Sequence, residues 1–278
     1  MTDKLIPKFI FTLTKSILCD HNAIIKVQEA LDKGVTFFRL NVKSMDHLSK
    51  IESIFNIFSS DKVKISNEIT FLLDIPFPYE KTRIKDINGK SEWYIRNGEQ
   101  IKVISEEIAN TDNQGDYLVV DSEFMKCPLK LSSKIVFGDG EGIFEVVEIV
   151  SSQQLILKAL NDFMIYRNKA LVYNTLKKTF LRDNDLEILK RILNGKFNIL
   201  LVLSFVDEVK YIREIANKLK IPQNRIICKI ENEAGIKNVV NILAESDGIM
   251  IARGDLGINL GVANLYHIEQ YLTKVANI

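Results

Sequence analysis

Strand and helix alternate at both ends of this chain, and the alternation stops in between. That interruption limits the fold more than any other feature. Phe9–Leu13 reads as a strand; Asp20 is placed to cap a helix with Ile24, Val27 and Leu31 on one face, and Gly34 ends it. Val35–Val42 is the next strand, Ser44 is placed to cap a helix carrying Met45, Leu48, Ile51, Phe55 and Phe58, and Ile69–Asp74 is a third strand. A β-α-β-α-β run of this kind predicts a parallel sheet with helical crossovers. From Pro76 to about Tyr166 the pattern changes to short apolar runs split by Asn88-Gly89, Asn97-Gly98, Gly115-Asp116 and Asp139-Gly140. This punctuation predicts a small antiparallel β domain. The alternation then resumes: helix 183–193, strand 199–205, helix 209–219, strand 225–230, helix 235–243, strand 248–252 and a final helix from about Leu265.

The expected organisation is therefore a barrel-type domain in two parts, 1–76 and 166–278, with an inserted all-β domain at 77–165. Setting the insertion aside leaves roughly 190 residues, and a β-α unit takes roughly 30, so about six units fit and eight do not. The expected fold class is α/β: an incomplete TIM-like (β/α) barrel, or an open sheet, with an inserted β domain.

Charge and composition exclude several functions. Lys+Arg number 37 against Asp+Glu 36, a net charge of +1, which offers no electrostatic footprint for nucleic acid. No run approaches the roughly 18 apolar residues of a membrane span, and Lys15 breaks the apolar stretch Phe9–Leu18, which reads as a strand and not a signal peptide. Three cysteines (Cys19, Cys127 and Cys228) are too few for a disulfide scaffold and suit a reducing cytoplasm. His21, His47 and His267 share no metal spacing. Cys228 reads as packing, Trp93 and Tyr94 as core, and the charges at Lys177-Lys178 and Arg182-Asp183 as solvated faces or linkers.

Two clusters carry the chemistry. Lys229 and Glu231 lie two apart at the end of a strand, so both point to one face, where an unpartnered charge is costly. Asp255 follows the next strand in Ala252-Arg-Gly-Asp-Leu-Gly257, where flanking glycines let backbone amides approach an anion. Glu231 and Asp255 together suit Mg²⁺, which takes one or two carboxylates, water and substrate oxygens. Lys229 would then sit beside a transferring phosphoryl group. The plainer reading is a Lys–Glu pair in a polar layer inside the barrel. A third cluster, Phe38-Arg-Leu-Asn41, presents Arg39 either for a bidentate phosphate grip or for a salt bridge to Asp74.

These residues resemble a known family. Lys229-Ile-Glu-Asn-Glu-Ala-Gly235 with Ser246-Asp-Gly-Ile-Met-Ile-Ala-Arg-Gly-Asp-Leu-Gly257 is similar to the central signature of pyruvate kinase. Phe38-Arg-Leu-Asn41 resembles its phosphate-binding strand, Leu72-Leu-Asp74 with Pro78 the entry to its mobile β domain, and Phe137-Gly-Asp-Gly140 a strand and turn within that domain. The resemblance spans about residues 5–278. It implies a (β/α)₈ barrel interrupted by a lid domain, and transfer of a phosphoryl group from phosphoenolpyruvate to ADP with Mg²⁺ or Mn²⁺, giving pyruvate and ATP. By that analogy Glu231 and Asp255 hold the metal, Lys229 acts on the phosphoryl group, Arg39 binds phosphate, and the amides of Gly254 and Asp255 meet the substrate carboxylate.

The departures leave alternatives open. The family's monovalent-cation site keeps Asn41 and Asp74, but Lys43 and Ile75 stand in its other two places. Lys43 is either a replacement charge that removes the need for K⁺ or a solvated lysine at a helix start. Thr14-Lys-Ser-Ile17, Ile75-Pro-Phe-Pro-Tyr79 and Asp207-Glu208 replace segments that hold nucleotide and phosphate in the family, which puts ADP and ATP binding in doubt. The chain stops in the helix after the sixth strand. The expectation is a truncated barrel, a sheet closed differently, or a homo-oligomer or second chain that covers the open edges. The functional alternatives are a non-catalytic phosphoenolpyruvate-binding regulatory subunit and a Mg²⁺-dependent pyruvate-enolate enzyme of aldolase type.

Overall fold

A computed structural model describes residues 9–13, 23–42, 48, 51–59, 63–64, 68–109, 115–173, 176–179 and 181–277. The expected caps Asp20 and Ser44, the 14–17 segment and Lys43 lie outside the described residues. The chain divides into two compact units. One comprises the residues up to Pro78, Thr179–Ala252 and the stretch from His267; the other comprises Tyr79–Lys178 and Arg253–Tyr266.

The first unit is α/β. Its strands Ile10–Leu13, Phe37–Asn41, Thr70–Lys81, Asn198–Ser204, Ile226–Ile230 and Gly248–Ile251 lie side by side in that order, each parallel to the next. Spatial order therefore equals chain order, with no point at which it reverses. A doubly wound sheet requires such a reversal. Here every crossover steps the same way, and a single crossover hand then puts the connecting helices on one face of the sheet, as in a barrel.

Alternation along the strands separates that outer face from the inner one. Phe38 and Phe71 turn outward and meet Phe58 of helix Glu52–Phe58 at centroid distances of 5.0 and 4.8 Å, both edge-on. Edge-on aromatic pairs of this kind add about 0.5–1.5 kcal/mol beyond their buried area. Their sequence neighbours Arg39 and Leu72 turn the other way. Helix Val209–Leu219 buries Tyr211, Ile212, Ile215, Ala216 and Leu219, one stripe at helical spacing.

Several elements differ from their sequence expectation. The strand expected to stop at Asp74 continues to Lys81 through two prolines, and its register against Asn198–Ser204 slips between Leu203 and Ser204. Proline has no N–H to give the ladder, so a slip across Pro76 falls where the ladder is already interrupted. Beyond the slip the strand takes a new antiparallel partner, Leu176–Lys178, so Lys177-Lys178 is strand and not a solvated linker. Arg182 and Asp183 are exposed, as expected, but Arg182 is also tethered. It precedes helix Asp183–Leu193 and donates from its backbone N (3.0 Å) and Nε (2.9 Å) to buried Asp185. The helix expected at 235–243 is two short ones, Glu233–Lys237 and Val239–Ala244, and the final helix expected from Leu265 is Arg253–Leu260 followed by Val262–Ala276.

The second unit holds a seven-stranded sheet, antiparallel except where Gln100–Ser105 runs parallel to Tyr117–Val120, and a two-stranded ribbon of Glu92–Ile95 with Phe163–Tyr166. Its core gathers Ile101, Leu118, Phe124, Phe137, Phe144, Leu157 and Phe163, with Trp93 packed against it, while Tyr94 is exposed. The expected turns are present. Asn88 and Gly89 both take positive φ (52° and 74°) in a tight turn that Lys90 N closes on the carbonyl of Ile87 at 3.1 Å. Among the described residues no helix is long and apolar enough to cross a membrane.

Candidate active site

Four neighbouring parallel strands of the first unit each end in a polar side chain, and these side chains meet. Arg39 lies two residues before the end of one strand, Asp74 stands on the next before its slip, Ser204 closes the third, and Lys229 with Glu231 stands at the end of the fourth. The C-terminal ends of parallel strands are where α/β folds build sites. The middle of the strands is mostly apolar, and at the opposite end Asn198 and Thr70 satisfy each other at 3.0 Å.

Asp74 is the hub. Its side chain is 2% exposed, and its Oδ2 accepts from Arg39 through Nε (3.0 Å) and Nη2. The same Oδ2 lies 3.5 Å from Lys229 Nζ, while Oδ1 accepts from the Ser204 hydroxyl at 3.3 Å. Ser204 also donates to the carbonyl of Ile75 at 3.0 Å. Glu231 is equally buried. Its Oε1 is 2.8 Å from Lys229 Nζ and its Oε2 accepts the backbone N–H of Phe205 at 2.6 Å.

Phe205 donates from a strained backbone. Its φ is 53°, in the left-handed region that a bulky residue seldom enters. Two cations thus face two carboxylates, and the group is neutral as a whole. Such neutrality is what makes burial of four charges tolerable. Burial pulls the Lys229 ammonium toward neutrality, but Glu231 and Asp74 together outweigh it, and its pKa is raised. Lys229 is therefore a fixed cation at neutral pH and cannot serve as a base.

The structure joins the two readings of the sequence at this point. Lys229 and Glu231 do pair, and Arg39 does bridge to Asp74. Both pairs belong to one network, which individual spacings did not reveal. Asn41 pairs in register with Asp74 but its side chain is exposed at the strand end. Cys228 points away from the network and is fully buried, which pushes its thiol up to about 12. Ser204 and the Phe205 amide went unnoticed in the sequence. The available signal was a serine closing the apolar run Ile199–Leu203.

Gly254 and Asp255 belong to the second unit and stand in the first turn of helix Arg253–Leu260, not in a loop. First-turn amides have no intrahelical acceptor, so they remain able to meet an anion. A Cβ at Gly254 would touch nothing within 4 Å, so crowding does not explain that glycine. Asp255 Oδ1 sits 2.5 Å from Nζ of Lys81, a partner the sequence did not suggest. Among the described residues no three His, Cys, Asp or Glu side chains gather as a metal site. The donor chemistry nevertheless suits Mg²⁺, because carboxylate oxygens are its protein ligands and water supplies the rest.

Comparison with known proteins decides the family. The pyruvate kinase barrel-domain family matches residues 9–278. The chain belongs to the pyruvate kinase family. Relatives include a pyruvate kinase of Borreliella burgdorferi, 30% identical over 243 residues, covering 84% of this chain and 47% of that protein. Pyruvate kinases of Chlamydia muridarum (27% identical; 90% of this chain, 51% of that protein) and Debaryomyces hansenii (26%; 92% and 51%) are similar at comparable distance. The chain spans about half the length of the curated pyruvate kinases it matches.

Proposed function

We propose that this chain acts as a pyruvate kinase-like phosphotransferase, moving a phosphoryl group from phosphoenolpyruvate to ADP to give pyruvate and ATP. The observation that carries this reading is the Arg39–Asp74–Ser204–Lys229–Glu231 network at the strand C-termini of a pyruvate kinase family member. Glu231 and Asp255 are the carboxylates we assign to Mg²⁺ or Mn²⁺. When bound, that ion would supply positive charge to substrate oxygens.

The chain's own residues would do the rest. Lys229, kept cationic by its two carboxylates, offsets the charge that spreads over the phosphoryl oxygens as the bond to the enol oxygen breaks. Arg39 spends Nε and Nη2 on Asp74, which holds the guanidinium plane still; Nη1 has no partner among the described residues and is left for a phosphate oxygen. The first-turn amides of Gly254 and Asp255 are suited to the substrate carboxylate. Asp74 already receives Arg39, Lys229 and Ser204, so a monovalent cation would gain little from it, and the reading includes K⁺-independent activity.

The test is pyruvate formation by the 278-residue chain with Mg²⁺, ADP and phosphoenolpyruvate, in potassium and in tetramethylammonium buffer. Turnover equal in both, and lost in Lys229→Met, is the expected result. Phosphoenolpyruvate binding without turnover would favour a regulatory binding subunit. Proton exchange at the pyruvate methyl group without nucleotide would favour an enolate enzyme.

A further inference from the structure

Asp255, one of the carboxylates assigned above to the metal, is not waiting open in the second unit. Lys81, the last residue of strand Thr70–Lys81, places Nζ 2.5 Å from its Oδ1. The contact is shielded, with the two side chains 14% and 22% exposed, so water weakens it less than it would a surface pair. The same Nζ lies 3.7 Å from Oδ1 of Asp139, whose side chain is 75% exposed. Asp139 sits on the turn between Gly138 and Gly140, both at positive φ (65° and 106°), which fixes the turn beside the lysine. One ammonium thus stands between a shielded carboxylate and a solvated one. An ammonium on Oδ1 occupies one of the two carboxylate oxygens and repels a divalent cation approaching the other, so the two compete for Asp255.

We propose that Lys81 is a built-in counter-ion of Asp255 that a divalent cation must displace, and that Asp139 receives the displaced ammonium. The inference rests on the reading of Asp255 as a metal ligand. It adds a regulatory exchange to that site: metal affinity is set by the fraction of molecules in which Lys81 has moved to Asp139. A binding-competent state that is only partly populated weakens apparent affinity by its population.

The test is titration of the 278-residue chain with Mn²⁺ alone, reading the free ion by electron paramagnetic resonance. Lys81→Met, and Lys81→Gln should the methionine variant fold poorly, are expected to bind Mn²⁺ about fivefold more tightly, the scale of one partly shielded ion pair. Lys81→Arg is expected to bind like the unmodified chain. Asp139→Asn is expected to weaken binding two- to threefold, and to have no effect once Lys81 is methionine, because no ammonium then has to leave Asp255; the contact of Lys169 with Asp139 at 3.9 Å is the same in both backgrounds. Unchanged affinity in Lys81→Met and Lys81→Gln, or an Asp139→Asn effect that persists in Lys81→Met, would overturn the exchange. Asp255→Asn separates the two levels. If it leaves Mn²⁺ affinity unchanged, the metal reading fails and the exchange with it; if it abolishes binding while Lys81 variants do nothing, only the exchange fails.

Discussion

Asp207 is half-buried just beyond the strained Phe205, and its Oδ1 has no hydrogen-bond partner among the described residues. Burial pushes its carboxyl up from the ordinary 3.8, and the neighbouring Glu208 adds to the push. A carboxyl whose pKa rises on folding is held against its charged form. Its ionisation therefore costs stability increasingly as pH climbs from 3.8 through the folded value, and nothing below 3.8. Asp207→Asn is expected to stabilise the chain at pH 7 by on the order of 1 kcal/mol, with the gain fading as pH falls below 3.8. Urea midpoints of the two proteins at pH 7 and pH 3.5 check this; an equal or lower midpoint for the variant at pH 7 would sink the assignment. Lys229 has the same sign in another pH range. Its raised pKa means that its pairing stabilises the fold fully below the ordinary 10.5 and is lost only as pH rises through a still higher value. The two groups respond at opposite ends of the pH scale because one is a carboxyl and the other an ammonium; burial wins at Asp207, whereas Glu231 and Asp74 outweigh it at Lys229.

Helix ends set the stability of the elements behind the site. Asn232, next to Glu231, caps helix Glu233–Lys237 by accepting the N–H of Gly235 at 2.8 Å. Gly235 has no room for a larger residue, since a Cβ there would come within 2.8 Å of the carbonyl oxygen of Val206. The sequence Glu-Asn-Glu-Ala-Gly thus delivers a buried carboxylate, a cap and a close helix approach in five residues. Asn232→Ala is expected to cost about 1 kcal/mol. Helix Val209–Leu219 ends differently, with exposed Lys220 in the left-handed region at φ 57°. A side chain is strained there and glycine is not, so Lys220→Gly is expected to stabilise by about 0.5–1 kcal/mol. Thermal unfolding of the two variants should move in opposite directions. Shifts of the same sign would show that cap geometry does not govern these ends.

At the scale of the whole molecule, the parallel sheet of the first unit has two edges among the described residues, Ile10–Leu13 and Gly248–Ile251. Every residue of the second edge strand is only partly buried, and Phe9 beside the first is 73% exposed. Val262 and Tyr271 of the last helix are also exposed. Unpaired strand edges beside apolar surface favour association. Sedimentation of the 278-residue chain is therefore expected to show a mass that grows with concentration. A single monomer mass across the micromolar range would refute that expectation.

The sequence by itself determined that the sheet is parallel with helical crossovers, since β-α alternation leaves few other arrangements; whether it winds as a barrel or an open sheet was decided by the strand order in space. The sequence also determined which strands end in charge and which turns must contain glycine, because periodicity, turn chemistry and the cost of a buried charge are local properties. Helix 183–193 and helix 209–219 were legible to the residue. Only the tertiary structure decided who partners whom. That Asp74 also gathers Lys229 and Ser204, that a backbone amide at positive φ serves Glu231, and that Lys81 covers Asp255 all join residues from 26 to 174 positions apart. No period or spacing encodes such pairs, because they arise where strands distant in sequence bring their ends together and each buried charge must find its opposite.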